Sequence, residues 1–194
     1  MRTLFALILI VLAWPAWAER ASLPELSAYI NSIKSAEARF RQVNADGSRS
    51  SGTLFLKRPG NARFEYDPPD DEALVLASGG QVAIFDGRAS GRPEQFPLRQ
   101  TPLNLILARK VDLTKASVIT GIGTHRGHTI VEAQDRDHPE YGKIRLYFEQ
   151  NPLRLAEWLI IGQGGEETRV ILEPFKPKSF KTSTFDITQE MNRR

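Results

Sequence analysis

Two alternating runs of apolar and polar residues, joined by a tight turn, constrain the fold more than any other stretch of the chain. They occupy residues 52–66, with Pro59-Gly60-Asn61 between them. This pattern predicts a β-hairpin, because strands alternate with period two and Gly and Asn favour turns. Leu54, Leu56 and Arg58 then fall on one face of the first strand. An arginine therefore ends an apolar row, where its guanidinium requires hydrogen-bond acceptors.

Similar short runs recur along most of the chain and are separated by turns rich in Gly, Pro, Asn and Asp. About ten strands with hairpin-length connections predict one large antiparallel sheet. Such a sheet twists and curls, and its concave face needs a cover. The expected fold is mainly β (α+β), with a curved sheet forming an incomplete barrel around a hydrophobic cavity. Further strands are predicted at 36–43, 73–76, 81–86, 117–122, 129–133, 143–149, 154–161 and 168–173, an irregular loop at 87–99, and an edge strand or surface strap at 175–185.

Two short amphipathic helices are available as that cover. Ser22-Leu23-Pro24-Glu25 has the spacing of a capping box, and apolar residues follow it at helical spacing. Thr101 followed by Pro102 predicts a second helix, with Thr101 as its cap. The apolar side of that helix consists of Leu103, Ile106 and Leu107. We expect the helices to form a small lid over the concave face.

Residues 1–18 have the features of a secretory signal peptide. Arg2 is followed by the apolar run 4–14, and Ala16-Trp17-Ala18 is an A-x-A cleavage site. A membrane anchor is the alternative reading, but the run is shorter than the ~20 residues that span a bilayer. We therefore expect residues 19–194 to form a single domain in the periplasm.

Composition argues against several other classes of protein. The chain contains no cysteine, which excludes disulfides and a lipid attached at the cleavage point. Its formal net charge of +3 falls to +2 without Arg2, and its cations are scattered among acids, so nucleic acid is not expected as a partner. No nucleophile elbow, P-loop or dinucleotide fingerprint occurs. The sequence therefore predicts no catalytic residue, no cofactor and no enzymatic activity.

Two weaker patterns were weighed as sites. His125-x-x-His128 has a spacing that suits a metal, but no third ligand accompanies it, so solvated turn histidines are the favoured interpretation and no metal site is predicted. The acidic stretches Asp70-Asp71-Glu72 and Asp135-x-Asp137 are interpreted as loop surface. A hydrolase built on paired carboxylates stays open as an alternative.

Several short motifs follow one another in a distinctive order between Ser22 and about Phe185. They are Phe40-x-Gln42, Gly52-x-Leu54, Lys57-Arg58-Pro59, Arg63-Phe64-x-Tyr66-x-x-Pro69, Gly79, Phe85-Asp86 and Thr101-Pro102. In this order and spacing, the chain resembles the periplasmic outer-membrane lipoprotein carrier proteins, the LolA-like family. No single motif is specific, but together they cover nearly all of the expected domain.

The resemblance implies an incomplete antiparallel barrel closed by a helical lid. It also implies a carrier that receives acylated lipoproteins from an inner-membrane lipoprotein-releasing ABC transporter complex and delivers them to an outer-membrane acceptor, working as a monomer. Arg58, in the family's Arg-Pro motif, would hydrogen-bond to lid backbone groups and hold the empty cavity shut. The implied ligand-binding and lid residues beside it are Phe40, Leu54, Leu56, Phe64, Leu103, Ile106 and Leu107.

One position departs from the family pattern. Ala83 stands where members often carry tryptophan, which brings the shape of the cavity into question. A carrier or sensor of other lipids on the same fold is the main alternative function, and the carboxylate-dependent envelope hydrolase is the second. A related acceptor lipoprotein is not expected, because it would require a cysteine.

Overall fold

The structure is a computed structural model that describes residues 20–87, 92–115 and 118–194. The predicted signal peptide lies outside these residues. The α-helices are α1 (Leu23–Ser32), α2 (Asn104–Leu107) and α3 (Ile187–Arg193). The strands are β1 (Ser35–Val43), β2 (Arg49–Lys57), β3 (Asn61–Tyr66), β4 (Leu74–Ser78), β5 (Gln81–Phe85), β6 (Glu94–Pro97), β7 (Ile119–His125), β8 (His128–Gln134), β9 (Lys143–Gln150), β10 (Leu153–Ile161), β11 (Glu167–Leu172) and β12 (Lys176–Pro177).

All of these strands belong to one open antiparallel sheet, which confirms the predicted fold class. Their order is β6-β5-β4-β3-β2-β1-β11-β10-β9-β8-β7, and β12 pairs with β1 beyond the end of β11. The edges of the sheet are thus β6 and β7, which are consecutive along the chain. The segment that connects them carries α2.

The predicted hairpin forms as β2 and β3. Leu54 lies opposite Phe64 and Leu56 lies opposite Ala62. Gly60, in the turn, has a φ of +78°, a conformation that favours glycine. Gly52 is required for a different reason, because a Cβ there would lie 2.8 Å from the Phe40 ring and 2.0 Å from the backbone oxygen of Glu65. The glycine of the Gly-x-Leu motif therefore makes room for an aromatic side chain on the neighbouring strand.

The main core lies on the concave face of the sheet. Phe40, Phe64 and Trp158 form its aromatic centre, with edge-to-face ring centroids 5.5 Å apart for Phe40–Phe64 and 6.2 Å apart for Phe64–Trp158. Leu26 and Ile30 of α1 are fully buried in the same cluster. Helix α1 starts with the predicted capping box between Ser22 and Glu25. The capped helix thus covers one end of the concave face.

A second, smaller core lies on the convex face, where α3 packs. It consists of Leu74, Leu76, Ala83, Phe85 and Phe185, with Phe55, Phe180, Ile187 and Met191 against it. Ala83 lies opposite Leu76, whereas the next pair, Val82 and Ala77, belongs to the concave core. Ala83 therefore lies outside the concave core, and the departure at this position does not fall on the lid side of the sheet. Its small side chain faces the outer layer beneath the C-terminal segment.

Four other expectations need correction or completion. The sequence showed two helices, but α3 adds a third α-helix to the described part of the chain. The segment 87–99 was expected to be an irregular loop, yet it contains β6, which pairs with β5 although its sequence is polar and ends in proline; residues 88–91 lie outside the described chain. The turn expected at 123–127 shrinks to Arg126 and Gly127 because β7 extends to His125. β12 confirms that the tail straps onto β1.

The second helix begins later than predicted. Thr101 does not cap it, because its hydroxyl donates to the carbonyl of Leu98 at 2.8 Å. The backbone of residues 101–106 forms hydrogen bonds between residues three apart, such as that from the amide of Asn104 to the carbonyl of Thr101 at 3.1 Å. The α-helix itself runs over Asn104–Leu107. The helix is short, as predicted, and only its first turn was misplaced.

Helix α3 is tied to the sheet by a buried carboxylate. Glu190 is 4% exposed and forms ion pairs with Arg63 of β3 at 2.9 Å, Arg193 at 2.7 Å and Arg194 at 2.8 Å. Burial alone would raise the pKa of Glu190, but its hydrogen bonds to the three guanidinium groups outweigh burial and lower the pKa to about 2. The ionised form therefore stabilises the docked helix.

We predict that Glu190→Gln lowers the free energy of unfolding by about 3 kcal/mol at pH 7, because it removes a buried charge that three guanidinium groups share. In the unchanged protein this contribution is present above the ordinary glutamate pKa and is lost as the pH falls towards 2. Urea titrations at several pH values should show a shallower acid dependence for the variant. Glu167→Gln, at an exposed position of β11, is the control, and equal acid profiles for all three proteins would contradict the prediction.

Candidate functional site

Arg58 directly follows β2, where the strand meets the lid. Its backbone amide donates to the carbonyl of Lys34 at 2.8 Å, which joins the end of β2 to the chain between α1 and β1. The residue is 9% exposed, and its row partners Leu54 and Leu56 are buried on the same side. The alternation inferred from the sequence thus places the guanidinium at the rim of the concave core.

Three acceptors surround the guanidinium, and all come from the lid. Nη1 donates to the carbonyl of Ile30 in the last turn of α1. Nη2 donates to Oδ1 of Asn31 at 3.0 Å and to the carbonyl of Ala108 at 2.6 Å. Carbonyls at a helix C-terminus lack intrahelical donors and favour a cation. One side chain from the sheet therefore contacts both the first helix and the chain that leaves the second.

The electrostatic setting of Arg58 is unusual for a buried charge. Among the described residues no carboxylate pairs with it, and its acceptors are neutral carbonyl oxygens. Its buried Nε has no hydrogen-bond partner. Burial lowers the pKa of Arg58 from its usual range. The interaction thus leaves the charge uncompensated and Nε without an acceptor.

Asn31 organises the lid side of this contact. Its Oδ1 accepts from Arg58 and also from the amide of Val111 at 2.9 Å, while its Nδ2 donates to the carbonyl of Val111 at 2.7 Å. One turn earlier, the hydroxyl of Ser27 accepts from the amide of Leu113 at 2.9 Å. The segment after α2 is therefore fastened to α1 at two points. Sequence reasoning missed both residues, although two polar residues four apart beside buried Leu26 and Ile30 were a signal.

Arg58 and its acceptors on Ile30, Asn31 and Ala108 are called the latch from here on. The lid also inserts apolar side chains beneath the latch. The amide of Gly60 donates to the carbonyl of Leu107 at 2.9 Å, which holds α2 against the β2–β3 turn. Leu103, Ile106 and Leu107 are buried and belong to the concave core. The structure therefore brings together every residue proposed from the sequence: Phe40, Leu54, Leu56, Arg58, Phe64, Leu103, Ile106 and Leu107.

A groove of about 310 Å³ lies where the lid meets the far half of the sheet. Leu105 and Val118 line its lid side, and Ala133 and Ile144, from the ends of β8 and β9, line its floor. Because Ala133 and Ile144 belong to the concave core, the groove reaches that core without crossing the latch.

The two histidines and the acidic stretch Asp135-x-Asp137, which the sequence offered as candidate sites, lie at turns. His125 and His128 lie opposite each other at the β7–β8 turn, and the described residues contain no group of three metal-ligating side chains. Oδ1 of Asp135 accepts from the amide of Asp137 at 3.0 Å, which fits a turn. No helix in the described chain has the length and apolarity needed to cross a membrane.

The chain is similar to several known proteins. The model of the family described as outer membrane lipoprotein carrier protein LolA matches residues 31–188, which include Arg58, Asn31 and Ala108 and most of both cores. The chain belongs to this family. An outer-membrane lipoprotein carrier protein of Pseudomonas aeruginosa is 27% identical over 202 residues, covering 96% of this chain and 94% of the relative. A carrier of the same name from Azotobacter vinelandii is 34% identical over 94 residues, covering 44% of this chain and 45% of the relative.

Among solved structures, the LolA superfamily protein NE2245 from Nitrosomonas europaea is similar to this chain with a TM-score of 0.46 and 13% identity. The similarity covers 86% of this chain and 98% of that one. As a member of the LolA family, the chain is grouped with lipoprotein carriers, and Arg58, Asn31 and Ala108 of the latch lie within the matched region.

We predict that Asn31→Ala loosens the lid segment while the sheet stays folded. Three hydrogen bonds are lost, so amide exchange at Val111 should accelerate by about tenfold or more, equivalent to about 1.4 kcal/mol. Hydrogen exchange read residue by residue measures this. Ser32→Ala is the matched control, since the Ser32 hydroxyl donates within the helix to Tyr29 at 2.6 Å. Unchanged protection at Val111 would show that Asn31 does not hold the segment.

Proposed function

We propose that this protein is a soluble periplasmic carrier that binds the acyl chains of lipoproteins and delivers them to the outer membrane. The observation that carries the proposal is the latch: a buried arginine on the sheet holds both lid elements through neutral acceptors. The lid in turn places Leu103, Ile106 and Leu107 inside the concave core. Family membership supports the same function.

The lid would work by competing with the cargo. Burial of an acyl chain contributes about 0.8 kcal/mol per methylene, so a lipid anchor with several chains would bind too tightly for a carrier that must release it. In the closed state the lid's own leucines and isoleucine fill the concave side. Cargo must displace them and break the bonds of the latch, which lowers its net affinity by the cost of opening. The lid thereby makes release possible.

The proposed partners follow from this cycle. An inner-membrane lipoprotein-releasing ABC transporter complex would supply the cargo, and an outer-membrane acceptor would remove it. We propose that ATP is used only by the membrane complex and that the carrier acts as a monomer without cofactor or metal. Residues 1–18 would direct export and then be removed.

The test of this function uses Arg58→Leu and Arg58→Lys. Lysine lacks the planar fork that reaches Ile30, Asn31 and Ala108 together, so both variants should shift the lid towards open. We expect both to fold, to bind more of an apolar reporter dye when empty, and to lose transfer of a triacylated lipoprotein from donor to acceptor membranes by about tenfold or more, the effect of about 1.4 kcal/mol. Melting temperature and transfer are measured side by side.

Arg41→Leu is the matched control, because Arg41 is an exposed arginine on the neighbouring strand β1. If the Arg58 variants lose folding and transfer together, Arg58 is a structural residue and the latch is refuted. Normal transfer by a dye-binding variant would refute it as well.

A covalent lock should block loading. The chain has no cysteine, so a pair introduced with one residue in 102–108 and one in 54–56 supplies the only thiols. We predict that the oxidised pair abolishes uptake of lipoprotein, because α2 can no longer leave the concave core, and that reduction restores it. The reduced form is the internal control. Uptake at the normal rate by the oxidised protein would show that α2 is no lid.

A further inference from the structure

The uncompensated charge of Arg58 points to a class of ligand beyond neutral acyl chains. We propose that the latch is also an anion site, and that the concave chamber binds amphiphiles in which an acyl chain ends in an anionic oxygen group. The chain would follow the row of Leu56 and Leu54, and the anionic head would take the guanidinium from the lid.

The first step of the argument is the donor count. Arg58 carries five N–H donors, and the lid provides three acceptors, none of them charged. Nε is buried and has no partner. A carboxylate or phosphate oxygen would satisfy the unused donors and add the charge that every present acceptor lacks. An anion adds to the hydrogen bonds a Coulombic attraction that a neutral carbonyl oxygen does not offer, and a guanidinium matches such anions with two parallel bonds.

The second step is the geometry of the row. Leu54, Leu56 and Arg58 point to one side of the sheet, with Phe64 and Ala62 opposite the two leucines on β3. The apolar part of this row is buried within the core, while Arg58 lies at its rim beside the lid. This arrangement suits an amphiphile, because its acyl chain needs an apolar interior and its head group needs a polar partner at the mouth.

The third step is the charge around the mouth. Lys34, Arg109 and Lys110 are exposed, and each lies within three residues of a group that contacts Arg58. Asp112 is the one acid between residues 98 and 115, and it accepts from the hydroxyl and the amide of Thr114. Cations at the rim of an apolar mouth raise the local concentration of anions and steer them inward.

Unlike a simple apolar chamber, the site should therefore distinguish anionic from neutral amphiphiles. A neutral amphiphile can offer the guanidinium only neutral acceptors like those of the lid, whereas an anionic one replaces the lid's acceptors with stronger ones. Anionic amphiphiles should therefore open the lid as well as fill the chamber. This inference uses the same chamber as the proposed function, but it does not require that lipoproteins be the cargo.

Trp158 provides the readout, because it is the one tryptophan beyond residue 18 and lies in the concave core at 1% exposure. The protein beginning at Glu19 is titrated, below each critical micelle concentration, with dodecanoate, neutral monolaurin and cationic dodecyltrimethylammonium. We expect dodecanoate to bind about tenfold or more tightly than monolaurin, because its carboxylate compensates the guanidinium charge that neutral acceptors leave unpaired. Equal affinities for these two probes would overturn the proposal.

Variants locate the preference. The ratio of dodecanoate to monolaurin affinity should collapse towards one in Arg58→Leu, stay intermediate in Arg58→Lys and remain unchanged in the control Arg41→Leu. The ratio corrects for any general effect of an opened lid, and Arg58→Gln replaces the leucine variant if that one does not fold. A preference that survives both neutral variants would place the anion elsewhere and refute the site.

Two further arms identify the source of the anion. Dioctanoyl phosphatidylglycerol is compared with dioctanoyl phosphatidylcholine in the same titration. Preference for the glycerol lipid as well as for dodecanoate supports a site for phospholipid headgroups, and preference for dodecanoate alone supports a site for free acyl anions. Lipoprotein transfer is measured separately: transfer without anion preference defeats this inference alone, and anion preference without transfer defeats the proposed carrier function alone.

Discussion

The closed arrangement of the structure depends on one buried guanidinium whose hydrogen-bond acceptors are all neutral. A surface ion pair contributes little to stability, and a buried pair compensates its own charge, so neither makes a sensitive latch. Arg58 has neither arrangement. Its bonds to Ile30, Asn31 and Ala108 hold only while α1 and the segment after α2 stay in place. The lid is thus held by three hydrogen bonds from one cation, which require α1 and the segment after α2 to be in place together.

The two faces of the sheet are covered in different ways. The concave face is covered by short elements that hydrogen-bond to each other through side chains, as Ser27 and Asn31 do with the segment that follows α2. The convex face is covered by α3, which Glu190 fastens to Arg63 with a buried ion pair. One face is therefore held by neutral hydrogen bonds and the other by opposite charges. The sheet between them is a stable frame.

Much of the fold followed from the sequence because period-two alternation is strong in this chain. The hairpin at 52–66 and the placement of Leu54, Leu56 and Arg58 on one face depend on local geometry alone, and both were predicted. The helix α3 and the strand β6 were missed, since each is stabilised by tertiary contacts that local patterns do not show. The layer in which Ala83 lies did not follow from the resemblance, because a resemblance gives a position along the chain but not the face of the strand.

The candidate site was predictable in part for the same reason. The apolar residues and Arg58 were found from periodicity and motif, and the resemblance implied backbone acceptors in the lid without naming their residues. All three acceptors, two backbone carbonyls and one side-chain amide, take this role only when α1, β2 and the segment after α2 come together. Asn31 is the instructive case, because an asparagine on a helix is ordinary until its neighbour across the fold is known.

The open edges of the sheet have a consequence for the mechanics of the chamber. A closed barrel can widen only by breaking backbone bonds between neighbouring strands, and that ladder resists expansion. Here β6 and β7 are the two ends of the strand order, and a chain segment carrying a short helix connects them. Widening the interior therefore needs no strand to separate from another. The volume of such a chamber can adjust to the size of its contents while the backbone hydrogen bonds between neighbouring strands stay intact.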